Sequence, residues 1–132
     1  MVLTPTYHVF DLYKVHQDAK YLPVQFTSPD YTMGEQKIPA LNVSASRDAT
    51  GAVHITLVNV DPNKNLQLKS TLGGMQWQTV SGSIVTSAKV NDINSFENPK
   101  AIQVQPFAGA KKQGADLVVD LPAKSIVMLE LK

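Results

Sequence analysis

The side chains best suited to chemistry are three histidines, three glutamates, one tryptophan and a Ser-Gly-Ser step, and their spacing decides what each can do. His8 and His16 stand eight residues apart. On a helix that separation is about 12 Å of rise, too far for one metal ion, and His54 is remote in sequence. All three read as surface or packing histidines, and no metal is expected. Glu35, Glu97 and Glu130 fall in two separate loops and a terminal strand. Retaining hydrolysis of a glycosidic bond by paired carboxylates needs two such groups about 5 Å apart, one of them with a raised pKa, and nothing in the spacing brings two together. Ser81-Gly82-Ser83 lacks the Gly-x-Ser-x-Gly frame of a nucleophile elbow and reads as a turn between strands. Gly73-Gly74 lies between strand candidates, so it reads as a turn and not as a phosphate loop. Trp77 could stack on a sugar ring, which makes it the weak sugar-contact candidate. In an alternating strand, however, an indole more often serves a core or an interface.

Composition narrows the partners. The chain has 132 residues, 43% of them apolar and 17% charged, a balance that favours one packed domain over a disordered chain. Its net charge of +1 leaves no electrostatic footprint for nucleic acid or an anionic membrane, so neither is an expected partner. The absence of cysteine excludes disulfides, thiol nucleophiles and zinc–thiolate sites, and no cofactor is expected. No apolar run reaches the roughly 20 residues of a membrane helix, and Met1-Val2-Leu3-Thr4-Pro5 lacks the basic and apolar regions of a signal peptide. A soluble piece is expected, its compartment unknown.

The elements that must position these residues begin with a helix. Thr4 can cap it, Pro5 suits its first position, and no glycine interrupts the stretch to Asp18. Tyr7, Val9, Phe10, Leu12, Tyr13 and Val15 spread around most of its circumference, leaving a narrow polar arc near Asp11 and Lys14. Such a helix wants cover on several sides, so the isolated chain is expected either to associate or to fold the helix back onto the rest.

From Tyr21 the pattern changes to period two. Strands are predicted over residues 21–27, 38–47, 52–60, 66–72, 75–81, 83–90, 101–107, 115–121 and 125–131, with long loops at 28–37 and 90–100 and a mobile loop at 108–114. Residues 38–47 and 52–60 should pair through the Asp48-Ala49-Thr50-Gly51 turn, and the last strand, apolar on both sides, should be central. Short strands without crossover helices give an all-β chain, an antiparallel jelly-roll-like β-sandwich preceded by one N-terminal α-helix.

The residues also resemble a known family. Met1–Asp18, with Thr4-Pro5-Thr6-Tyr7-His8-Val9-Phe10 at its centre, resembles the segment that ends the catalytic barrel in the α-L-arabinofuranosidases of glycoside hydrolase family 51. The resemblance continues through Ser44–Asp48, His54–Pro62, Asn91–Pro99 and Leu121–Val127, and so covers nearly the whole chain. It implies a parent with a (β/α)₈ barrel that cleaves terminal α-L-arabinofuranosyl units with retention, followed by a jelly-roll sandwich. This chain looks like the second part.

In the family the reacting glutamates stand at barrel strand ends, and no position here matches them, so no catalytic residue is carried over. The resemblance makes residues 1–20 the helix that follows the last barrel strand and residues 21–132 the sandwich. Tyr7, Phe10, Leu12 and Tyr13 become candidates for the barrel interface. It further implies that Met1 is an internal methionine, that family members occur inside and outside cells, and that a strand from the enzyme's own amino terminus is missing, which would leave a sheet edge open. The expected role is a structural, non-catalytic accessory domain. The alternative is a carbohydrate-binding module for arabinose-containing polysaccharide.

Overall fold

Thr4 starts the helix as its chemistry suggests. Its backbone is extended, and its Oγ1 accepts the Tyr7 N–H at 3.2 Å, occupying a donor that the first helical turn would otherwise leave unpaired. In the computed structural model, which describes all of residues 1–132, the helix α1 covers Pro5–Tyr13 and tightens into a 3-10 turn over Lys14–His16. Regular helix thus ends earlier than the pattern to Asp18 implies. Asp18 adopts φ 57°, in the left-handed region, and turns the chain into the sheet.

Eleven strands follow: β1 Lys20–Leu22, β2 Asp30–Met33, β3 Gln36–Pro39, β4 Leu41–Arg47, β5 Val53–Asn59, β6 Leu66–Thr71, β7 Val80–Thr86, β8 Gln105–Pro106, β9 Ala110–Gln113, β10 Asp116–Leu121 and β11 Ser125–Leu131. Six form one sheet in the order β1-β4-β5-β11-β7-β8, three form a second in the order β6-β10-β9, and β2 and β3 make a hairpin; every pairing is antiparallel. The main core lies between the two larger sheets. Val53, Ile55 and Leu57 of β5 and Val127, Leu129 and Leu131 of β11 meet Leu117, Val119 and Leu121 of β10 there. The chain is the expected all-β sandwich with one helix at its start.

β4 and β5 pair as predicted, closed by Asp48, whose Oδ1 accepts from Thr50 N–H, Thr50 Oγ1 and Ala52 N–H. β11 is central, between β5 and β7, and both of its faces are covered. Elsewhere the structure corrects the pattern. Ser81-Gly82-Ser83 is no turn but the middle of β7: a Cβ on Gly82 would come within 2.8 Å of Leu129 Cδ2 and 3.1 Å of Phe107, so glycine is there for close approach. The strand expected over residues 75–81 is irregular until Val80. The expected loops at 28–37 and 108–114 contain the β2–β3 hairpin and β9, the latter joined to β10 through Gly114 at φ 64°. Residues 38–47 break at Ala40, whose N–H leaves the ladder for the Pro29 carbonyl at 2.8 Å. Two strands shrink, to Lys20–Leu22 and to Gln105–Pro106.

Candidate functional site

Two features of the outer face of the large sheet could carry function, the helix seated on it and a polar row beside that helix. The helix is held by Leu12, 4% exposed, which packs with Val85 and Ile102; Tyr13, Val104, Ile126 and Met128 surround them. Of the four interface candidates, Leu12 is therefore taken by this chain's own core, and Tyr13 is half-buried against it. Tyr7, 50% exposed, and Phe10, 75% exposed, point away. The helix folds back onto the sandwich, yet one seat covers only part of its apolar circumference.

The loop after β7, expected over residues 90–100, enlarges the uncovered surface with apolar side chains that the pattern does not single out. Asn94 Nδ2 donates to the Leu3 carbonyl and to the Ile102 carbonyl, each at 2.7 Å, while Asn94 Oδ1 accepts the Ile102 N–H at 2.7 Å. One side chain thereby ties this loop to the start of the helix. Around it Val90, Ile93 and Phe96 are largely exposed, Phe96 at 86%. The available signal was the isolated apolar residues in Asn91-Asp92-Ile93-Asn94-Ser95-Phe96, which no strand or helix period explains.

The polar row follows from register. Ser46 of β4 lies opposite His54 of β5, and His54 lies opposite Glu130 of β11. His54 is buried; its Nε2–H donates to Glu130 Oε2 at 2.9 Å, and Asp48 Oδ2 stands 3.9 Å from its Nδ1. Lys132 Nζ reaches the other oxygen of Glu130 at 3.1 Å. Next to them His16, in the 3-10 turn, touches Ser46 Oγ at 2.5 Å through Nδ1 and Thr56 Oγ1 at 3.1 Å through Nε2.

A serine beside a histidine has the outline of a nucleophile and its base, but Ser46 is buried and the ring's second nitrogen meets a hydroxyl where a triad places a carboxylate. The arrangement staples the turn to the sheet. No three histidine, aspartate or glutamate side chains converge as a metal site. Glu35 lies in the β2–β3 turn, Glu97 in the loop after β7 and Glu130 against His54, three separate places.

The hydrogen bond from His54 holds the Glu130 carboxyl below its ordinary range, with Lys132 adding to the effect. A carboxyl lowered on folding contributes stability above its unfolded value and loses it as pH falls through the folded one. Glu130→Gln should therefore reduce stability at pH 7, by about 1 kcal/mol or less because solvent screens this partly exposed group. The gap to the unsubstituted chain should narrow near pH 3. Urea midpoints at the two pH values measure it, and an equal gap at both would remove the carboxylate from the account.

Trp77, the sugar-contact candidate, is 3% exposed and part of the main core. Lys112 Nζ donates to the Trp77 carbonyl at 2.5 Å and lies 5.0 Å from the ring centroid. Trp77 also lines an open depression of about 390 Å³, together with Thr71, Leu72, Met75 and Lys112, and no carboxylate lines it. The burial of Trp77 agrees with the core reading: packing within the fold uses the ring, whereas a stacking sugar needs a free face.

Comparison with known proteins covers the same ground. Residues 1–125 match the family model of the α-L-arabinofuranosidase C-terminal domain. The chain belongs to that family. An intracellular exo-α-L-arabinofuranosidase of Bacteroides ovatus is 42% identical to this C-terminal domain over 133 residues, which take in all of this chain and 26% of that protein. The crystal structure of the GH51 arabinofuranosidase from Xanthomonas axonopodis pv. citri superposes with a TM-score of 0.97 at 42% identity, covering 100% of this chain and 27% of that one. The thermostable GH51 α-L-arabinofuranosidase from Thermotoga petrophila, 19% identical, shares the fold at a TM-score of 0.83 over 99% of this chain and 29% of its own. The C-terminal domain thus spans about a quarter of the length of these relatives. Its helix is not long and apolar enough to cross a membrane.

Proposed function

We infer that this chain is a non-catalytic accessory domain of a longer α-L-arabinofuranosidase that releases terminal α-L-arabinofuranosyl units. Residues 1–20 are the link from the catalytic barrel, and residues 21–132 are the sandwich that braces it. The carrying observation is the match that takes in all of this chain but about a quarter of each relative at 42% identity. The site geometry supports the reading. The three glutamates lie apart, the one buried histidine is engaged with Glu130, and the serine beside His16 is buried out of a substrate's reach. The exposed face of Tyr7 and Phe10, extended by Ile93 and Phe96, is the surface offered to the barrel, since an apolar patch of this kind marks a contact.

The purified chain should release no nitrophenol from 4-nitrophenyl α-L-arabinofuranoside, and calorimetry against arabino-oligosaccharides should show no heat of binding. Turnover by the chain alone would overturn the non-catalytic assignment. Saturable sugar binding would make it a carbohydrate-binding module.

A further inference from the structure

Between the Leu12 seat and the first β1–β4 pair at Lys20, the bend from helix to sandwich meets the sheet through the side chain of one titratable ring, His16. Between His16 and Lys20, where β1 begins to pair with β4, the chain bonds only to itself, Gln17 N–H to the Lys14 carbonyl at 3.0 Å and Ala19 N–H to the His16 carbonyl at 3.3 Å, and Asp18 holds the left-handed conformation that L residues rarely adopt. What fixes this bend to the sheet is the His16 imidazole. Thr56 Oγ1 donates to the Ser44 carbonyl at 3.5 Å, so toward His16 it accepts, and the ring's Nε2–H is its donor. Nδ1 is then bare and accepts the Ser46 hydroxyl at 2.5 Å. With these roles the ring is the neutral Nε2–H tautomer, and both nitrogens are used.

A proton added at Nδ1 would set N–H against O–H. Ser46 is buried, so its oxygen would have to become the acceptor and its hydroxyl hydrogen would turn away with no other partner to receive it. We propose that His16 is an acid-released latch, which pins the bend to β4 and β5 when neutral and frees Lys14–Ala19 when protonated, while the sandwich stays folded.

The charged surroundings are few. On its own segment stand Tyr13, whose ring meets the imidazole edge-on at 5.8 Å between centroids, Lys14, paired with Asp11 at 2.7 Å, and Asp18. From β1 come Lys20 and Tyr21, the latter opposite Ser46; from β4, Arg47; from the turn after it, Asp48; from β5, His54; and from β11, Glu130, which faces His54 rather than His16. Burial, and then the neighbouring His54, push the His16 pKa below its ordinary value. A base lowered on folding contributes its full stability above the unfolded value, about 6.5, and loses it as pH falls from there through the folded value. Release therefore belongs below the ordinary histidine value. Leu12 keeps its own seat on Val85 and Ile102, so the change is local.

Nitrogen-15 spectra and amide exchange of this chain between pH 7.5 and 5 test the latch. At neutral pH His16 should carry its proton on Nε2, and its titration midpoint should fall below that of a free histidine. Exchange at Gln17 and Ala19, corrected for its intrinsic pH dependence, should rise about three- to tenfold across the titration, with Val127 and Leu129 unchanged. His16→Gln, which takes no proton, should abolish the rise. Ser46→Ala, which leaves Nδ1 unpaired, should move the His16 midpoint upward and serves if the first variant fails to fold. A flat exchange profile at Gln17 and Ala19, a midpoint at or above that of free histidine, or the same rise in His16→Gln would overturn the latch.

Discussion

Phe10→Asp should leave this chain as stable as before and cost the longer enzyme about 3 kcal/mol, the scale of a lost buried aromatic. The contrast arises because Phe10 is 75% exposed on the helix face opposite Leu12. In the isolated chain the substitution removes no contact and adds a charge on an apolar surface, so it stays within about 0.5 kcal/mol and raises solubility. Against a catalytic barrel the same ring would be buried, and the aspartate would carry an unpaired charge into the contact. Thermal unfolding of the variant in both contexts decides the matter. Equal small effects would mean that the helix face touches nothing in the enzyme, and equal large ones that Phe10 is part of the fold's own core.

The helix shows what sequence could and could not reveal. Thr4-Pro5 fixes its start, and the spread of apolar residues around it says correctly that one seat cannot cover it. Nothing in that spread says which residue takes the seat. Leu12 and Phe10 look alike by period, and only Val85 and Ile102, contributed from elsewhere in the chain, separate them. Such a distinction is tertiary and has no local signal.

Strands β5 and β11 were legible because they alternate or are apolar throughout, as sheet centres must be. The β2–β3 hairpin was not, because its side chains are mostly exposed and carry no inside–outside rhythm. Gly82 was misread for the opposite reason. A glycine between two serines has every mark of a turn, and only the leucine of the neighbouring strand explains why it lies within β7. The polar row was invisible as well. Ser46, His54 and Glu130 are far apart in sequence and are joined solely by strand register, which is how a lone histidine on an alternating strand came to be buried beside a carboxylate.

That same pairing of Gly82 with Leu129 carries the other large effect. Leu129 is fully buried in the central strand and stands opposite Gly82 in register, with its Cδ2 filling the space a side chain there would need. Leu129→Ala should cost about 3 to 4 kcal/mol in urea unfolding, through lost transfer free energy and a cavity that the rigid neighbouring strands cannot close. Gly82→Ala alone should cost about 1 to 3 kcal/mol, because its new methyl collides with Leu129 Cδ2 and crowds Phe107. Combined, the two changes should destabilise by about 1 kcal/mol less than their sum, since the alanine at one position occupies part of the space vacated at the other. The rescue is incomplete because Phe107 and the Met128 carbonyl still press on the added methyl. Strict additivity in the double-mutant cycle would mean that the two positions do not share a space, and Gly82 would then need a different reason to lie in the middle of β7.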